Sequence, residues 1–169
     1  VNPRVTQLAE DLEMTVVNDP AALVNLAPDL VILTTPAPLT IATARSLANL
    51  PTTTPVVSAA AGITQEQLQA VLGDRPLATM IPNTPVAVNA GAIGLALSQE
   101  MVEPAGTLIK EVLGSLGTVI EVKEADLDVV GVIGGCGPAF VDVMMDALSD
   151  GAVKHGLNRQ VAYQVIAAM

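Results

Sequence analysis

Two hydrophobic periods alternate along this chain. In some stretches apolar positions recur every three or four residues, and between them lie short unbroken apolar runs of strand length. The first pattern predicts helices with one buried face and the second predicts buried strands. Val5, Leu8, Ala9 and Leu12 share one face of a helix that follows Pro3. The short β-branched run Met14 to Val17 predicts a strand. Asp19 and Pro20 read as an N-cap and a first helical position, opening a helix to about Leu26.

Leu30 to Thr34 is apolar almost throughout, as suits a parallel strand buried on both faces, and Pro36 and Pro38 break it. The pattern then predicts a helix over Thr40 to Leu50 and a strand over Pro55 to Ala59. Thr64 with Gln67 forms a capping box that opens a helix through Val71. Strands follow at Ala78 to Ile81, ended by Pro82, and at Ile93 to Leu97. An amphipathic helix over Pro104 to Leu116 and a strand over Thr118 to Val122 complete this part. Strands alternating with helices through short connections predict an α/β fold with a mainly parallel sheet. After Lys123 the pattern becomes helical: one long helix from Pro138 to Val153 with Gly156 as its C′ residue, then a helix capped by Asn158. The domain boundary falls at 123–127, separating residues 1–123 from 124–169.

Composition narrows the chemistry. Hydrophobic residues make up 51% and charged residues 14%, which argues against disorder. No uninterrupted apolar run reaches the roughly 18 residues of a membrane span, and the start lacks a basic and apolar leader. The net charge of −10 argues against broad contacts to nucleic-acid phosphates, though a small anionic cofactor needs only local donors. Phe140 and Tyr163 are the only aromatic residues, too few for a base-stacking platform. Cys136 has no disulfide partner in the chain, which makes a reducing cytoplasm the expected compartment. One His and one Cys do not make a structural zinc site, and no metal is expected.

Five segments carry candidate chemistry. Gly134-Gly135-Cys136-Gly137 follows an apolar run and precedes a helix, but its spacing matches neither nucleotide-loop pattern. The plainer reading is a tight entry into a helix, whose first N–H groups would still face a ligand. Cys136 at such an N-terminus would have a lowered pKa. The only His, His155, stands about 25 Å away along the helix, which favours a packed thiol over a nucleophile. Asp142, Asp146 and Asp150 fall on one helical face; a solvated face is favoured over a metal site, with Lys154 placed to pair with Asp150. Three strand ends close in small, polar or rigid residues: Thr34-Thr35-Pro36, Ser58 to Gly62, and Ile81 to Pro85. Ligands of open α/β sheets bind outside such carboxyl ends, although ordinary turn chemistry explains the same residues.

These segments resemble, in order, those of the pyrroline-5-carboxylate reductases. Ser58-Ala-Ala-Ala-Gly-Ile-Thr64 is similar to that family's S-x-A-A-G-[IV]-T, and Ile81-Pro-Asn-Thr-Pro85 to its M-P-N-T-P. Gly135-Cys-Gly-Pro-Ala-Phe140 is similar to G-S-G-P-A-Y, and Asp146 to Leu157 to E-A-L-A-D-A-G-V-x-x-G-L. The Asp29 to Leu33 strand is similar to D-V-V-I-L. The resemblance implies a partial Rossmann-type doubly wound parallel sheet that binds NADPH or NADH, followed by the start of an all-α dimerisation domain. It implies reduction of 1-pyrroline-5-carboxylate to L-proline by hydride transfer. It places Asn18 near the adenosine ribose, and Asn2 and Arg4 where a second strand's end usually meets a 2′-phosphate. Ala60, Ala61, Asn83, Thr84 and Pro85 would line the nicotinamide end, with Thr34, Thr35 and Pro36 on the same rim. Gly135, Cys136, Gly137 and Pro138 would lie on the substrate side, with no acid or base assigned. A homodimer or larger homo-oligomer through the C-terminal helices is implied, with no membrane or nucleic-acid partner.

The chain departs from that pattern where the family's A-V-K-P reads Thr34-Thr35-Pro36-Ala37, and where Cys136 replaces a serine. These departures motivate a rival reading as a reductase of another imine or a hydroxy acid. No G-x-G-x-x-G turn occurs, and the chain runs from Val1 to Met169. An internal fragment is therefore expected; a non-catalytic dimerising or regulatory relative is the remaining alternative.

Overall fold

A computed structural model describes residues 3–169, with side chains from residue 5 onward. Five strands form one sheet in the order β1 (Val31–Leu33), β2 (Val56–Ser58), β3 (Leu77–Pro82), β4 (Gly91–Leu97) and β5 (Gly117–Glu121). The β1–β2, β2–β3 and β4–β5 pairs are parallel; β3–β4 is antiparallel. Among the described residues the order never reverses, so the crevice of a doubly wound sheet, which forms at a reversal, is not contained in this sheet.

The helices are α1 (Pro3–Asp11), α2 (Pro20–Leu23), α3 (Ala37–Ser46), α4 (Gln65–Leu72), α5 (Glu103–Gly114), α6 (Leu127–Lys154) and α7 (Arg159–Ala167). Strand alternation divides the core in two. Val31, Leu33, Val56 and Leu77 face α3 and α4, packing on Ala44, Leu47, Leu68 and Leu72. Val57, Ala78, Met80, Ile93 and Leu95 face α5, packing on Ile109 and Leu113. Helices thus cover both faces, which is why β2 is buried along its whole length.

Local signals hold where they are self-contained. Asp19 accepts from the Ala21 N–H at 2.9 Å, and both bonds of the Thr64–Gln67 capping box form. Gly156, at φ +94°, closes α6 with its own N–H on Val153 O and that of Leu157 on Ala152 O, the paired bonds of a Schellman motif. Asn158 caps α7 through the Gln160 N–H at 2.9 Å.

Three expectations are corrected. Met14 to Val17 is not a strand: among the described residues it pairs with no strand of the sheet, and an apolar run without a ladder partner gains nothing from the extended state. Pro36 and Pro38 do not merely break β1. Pro36 is the N-cap residue of α3 and Pro38 lies in its first turn, where a missing N–H costs nothing, so α3 begins at Ala37 and ends at Ser46. Most consequentially, α6 does not start after the glycines. It starts at Leu127 and runs 28 residues without a break, with Gly134 to Gly137 and Pro138 inside it.

The first turns of α6 lie on the same sheet face as α3 and α4. A Cβ on Gly94 of β4 would stand 2.7 Å from Cγ1 of Val130, and one on Gly131 would stand 3.0 Å from Cδ1 of Ile81. Glycine at both positions lets helix and sheet approach this closely.

Candidate functional site

The parallel register of β1, β2 and β3 brings their carboxyl ends to one edge of the sheet. Thr34 is exposed there, whereas the Thr35 hydroxyl is spent locally, 3.0 Å from that of Thr40. Pro36 is exposed as the α3 cap. Ala60 is buried and Ala61 exposed. Asn83 and Pro85 are half-buried, Thr84 is exposed, and Thr84–Val88 forms a 3₁₀ turn. The three strand ends expected to make a rim therefore do share one.

Asn83 joins this rim to α6. Its Nδ2 donates to Gly134 O at 3.2 Å, and its Oδ1 accepts from the Ala92 N–H at 2.8 Å. This places the glycine segment beside the strand ends although 51 residues separate the two. Within that segment Gly135 and Cys136 are exposed, and Gly137 and Pro138 half-buried. Because the segment is helical, its N–H groups serve the helix, and the expected cradle of free donors is absent from it. Cys136 is likewise in mid-helix, so no helix N-terminus acts on it.

Beside the rim, under the start of α6, is a cleft of about 320 Å³. Of the residues expected at a ligand it is lined by Ala60 and Ala61, along with Thr64, Thr79, Glu124 and Asp128; Asn83, Thr84, Pro85 and 135–138 do not line it. Two of its polar residues, Thr79 and Glu124, belong to one network. Glu124 Oε1 accepts from the Gln65 N–H at 2.7 Å and from the Thr79 hydroxyl at 3.3 Å. Gln65 Nε2 donates to Thr79 Oγ1 and to Ala96 O. A carboxylate from the turn between β5 and α6 thereby satisfies the first turn of α4. Nothing in the sequence pattern marks Glu124 for this role, because the pairing with Gln65 spans 59 residues.

The other expectations scatter. Asn18 is exposed in the bend before α2. Asn2 and the Arg4 side chain lie outside the described residues. Asp150 pairs with Arg159 at 2.6 Å and not with Lys154, because α7 folds back and supplies the nearer cation. Asp146 accepts from the Tyr163 hydroxyl, and this bond holds the phenol above its usual pKa. No group of metal-ligating side chains occurs among the described residues.

The helical part exposes an apolar stripe. Phe140, Val143, Met144 and Leu148 of α6 are 52–69% exposed, and Val161 and Val165 of α7 continue it. By length and composition alone, the helical stretch Glu124–Lys154 could cross a membrane, although the carboxylates of Asp142, Asp146 and Asp150 run down it.

Residues 124–169 match the family model described as pyrroline-5-carboxylate reductase dimerisation. The chain is 37% identical over 111 residues to a pyrroline-5-carboxylate reductase of Synechocystis, covering 65% of this chain and 41% of that protein. It is 37% identical over 114 residues to human pyrroline-5-carboxylate reductase 2, covering 65% and 36%. The chain thus spans about two fifths of the length of these curated relatives. Among solved structures, a pyrroline-5-carboxylate reductase from Coxiella burnetii superposes with a TM-score of 0.88 at 24% identity, over 99% of this chain and 63% of that one. A Plasmodium falciparum pyrroline carboxylate reductase with NADP bound gives 0.77 at 20% identity, over 92% and 59%. A prephenate dehydrogenase from Aquifex aeolicus gives 0.63 at 17%, over 98% of this chain and 70% of that one. At these identities the structural likeness is one of fold.

Proposed function

We propose that this chain belongs to the pyrroline-5-carboxylate reductase family and supplies the nicotinamide and substrate side of an NAD(P)H-dependent reductase making L-proline. The observation that carries this reading is the contact of Asn83 with Gly134, which sets the glycine segment of α6 over the carboxyl edge of a parallel sheet. The residues at that edge fit the nicotinamide half of a dinucleotide. Ala60 and Ala61 offer only methyl groups to a flat ring, and the exposed Thr84 hydroxyl offers a polar contact beside it. When bound, the reduced dinucleotide supplies a hydride to the carbon of the ring C=N.

The protein's part is positional. A cyclic imine is basic enough to take its proton from water, so the site needs no strong acid. Accordingly no His, Lys or Glu lies in the segments 34–36, 58–62, 81–85 or 134–138. Gly135, Cys136, Gly137 and Pro138 form the substrate side. NADPH or NADH serves as cofactor; Thr34, Thr35 and Pro36 are further proposed contacts on the same rim and Asn18 one at the adenosine end, while Asn2 and Arg4 are assigned by resemblance alone. The partner covering the α6–α7 stripe is a second copy of the chain, which the dimerisation match supports. The cytoplasm is the proposed compartment, supported by an exposed thiol with no disulfide partner.

The test is turnover by the intact protein, measured as proline formed from 1-pyrroline-5-carboxylate with NADPH and with NADH. Faster reduction of another imine or a hydroxy acid would favour the rival substrate reading. That rival draws on Thr34-Thr35-Pro36-Ala37, where the family's lysine is missing. Dimerisation without turnover of any of these would leave a non-catalytic role.

A further inference from the structure

Proline inside a helix removes the N–H that would bond the carbonyl four residues earlier. For Pro138 in α6 that carbonyl is Gly134 O. It is the atom that receives the Asn83 side-chain amide, at 3.2 Å. Asn83 therefore stands in for the hydrogen bond that the proline deletes. The orientation of its amide is forced, since Gly134 O can only accept and the Ala92 N–H can only donate. One side chain at the end of β3 thus satisfies two groups: an orphaned helix carbonyl and the Ala92 N–H at the start of β4.

We propose that Asn83 is a positioning residue that completes the proline-interrupted helix from outside, holding the segment Gly134 to Pro138 at a fixed height over the sheet edge. This rests on the reading of that segment as the substrate side. It differs from a direct cofactor contact by Asn83, the role implied by resemblance alone. The helix there is otherwise weak: three glycines and a proline fall within five residues, each unfavourable in a helix interior. Nothing packs within 4 Å of where a Cβ on Gly135 or Gly137 would be. Without the Asn83 donor, Gly134 O loses its partner and the segment loses its one side-chain anchor on the sheet.

The experiment is a double-mutant cycle in the intact protein with Asn83→Asp and Pro138→Ala. Asn83→Asp keeps the acceptor for Ala92 and removes the donor to Gly134. Pro138→Ala gives the helix back its own N–H for Gly134 O. Asn83→Asp alone is expected to raise KM for the imine about tenfold, with kcat and the dinucleotide Kd changed by less than about twofold. In the Pro138→Ala background the same substitution is expected to cost at least threefold less. If Asn83→Asp does not fold, recovery of folding on adding Pro138→Ala supports the proposal, and failure to recover overturns it. Equal losses in both backgrounds, or a loss carried by dinucleotide Kd, also overturn it. The same cycle read in Tm needs no substrate. A protein that reduces no imine therefore sinks the functional reading, while the coupling in Tm still decides the role of Asn83.

Discussion

The sheet and α6 are built from similar apolar residues, yet they end in opposite states. All of β2, Val56 to Ser58, is buried; of the 28 residues of α6, only Leu127 and Ser149 are. Composition does not make the difference. The sheet has its own helices on both faces, α3 and α4 on one and α5 on the other, so its cores close within the chain. Helix α6 meets the sheet only through its first turns and leaves Phe140, Val143 and Met144 uncovered. Exposed apolar surface on this scale marks an interface. One part of the molecule closes its cores with its own helices, and the other leaves an apolar face that a second copy of the chain is proposed to cover.

The sharpest way to break this contrast is to place the same charge in each part. Leu95→Asp puts an unpaired carboxylate into a fully buried position of β4, with a cost expected at roughly 4 kcal/mol or more. Circular dichroism should show the intact protein unfolded or melting far below wild type. Met144→Asp, at a position 59% exposed in the single chain, should spare the sheet and break the assembly. A dimer affinity weakened by about 2–4 kcal/mol is expected. Sedimentation should then find monomers with a native circular dichroism spectrum. An unchanged oligomer would refute the interface.

Smaller effects sharpen the comparison. Arg75 is buried in the sheet half and donates to four carbonyls, those of Leu72, Pro51, Ala48 and Leu50; burial lowers its pKa. Arg75→Met should cost about 2 kcal/mol by stranding these acceptors, and should lower the urea midpoint without changing assembly. In the helical half, Tyr163→Phe should cause only a small drop in Tm. The phenol's pKa is raised by Asp146, so its contribution is complete below the ordinary tyrosine range and is lost as pH rises through the raised value. The difference between wild type and variant should therefore vanish at strongly alkaline pH; a difference that grew there would contradict the assignment. Cys136→Ser should matter least, since the thiol is exposed in mid-helix; inactivation of the folded variant would show it to be a nucleophile.

Legibility in the sequence followed the range of the interaction. Asp19, the Thr64–Gln67 box, Gly156 and Asn158 act within a few residues, and each stands as its sequence pattern predicts. The runs of β1 to β4 were readable because burial on both faces leaves a nearly unbroken apolar signature. Met14 to Val17 misled because a strand is a property of a pair. Gly134 to Pro138 misled for a related reason: glycines and a proline read as a break, and the partner that makes a helix tolerable there comes from the end of β3. The rim at the strand ends was legible through topology, since parallel strands must end together. The Glu124–Gln65–Thr79 network was not, having no period and no motif.

The glycine seam, Gly94 against Val130 and Gly131 against Ile81, has a mechanical consequence. It is the fulcrum of a rod. A helix of 28 residues is about 42 Å long, so a tilt of about 5° at the seam carries its far end through roughly 3 Å. The glycine segment, only a turn or so from the fulcrum, moves by a small fraction of that. Displacement and force therefore trade along α6 as on any lever. Any displacement imposed at its distal end would reach the sheet edge geared down.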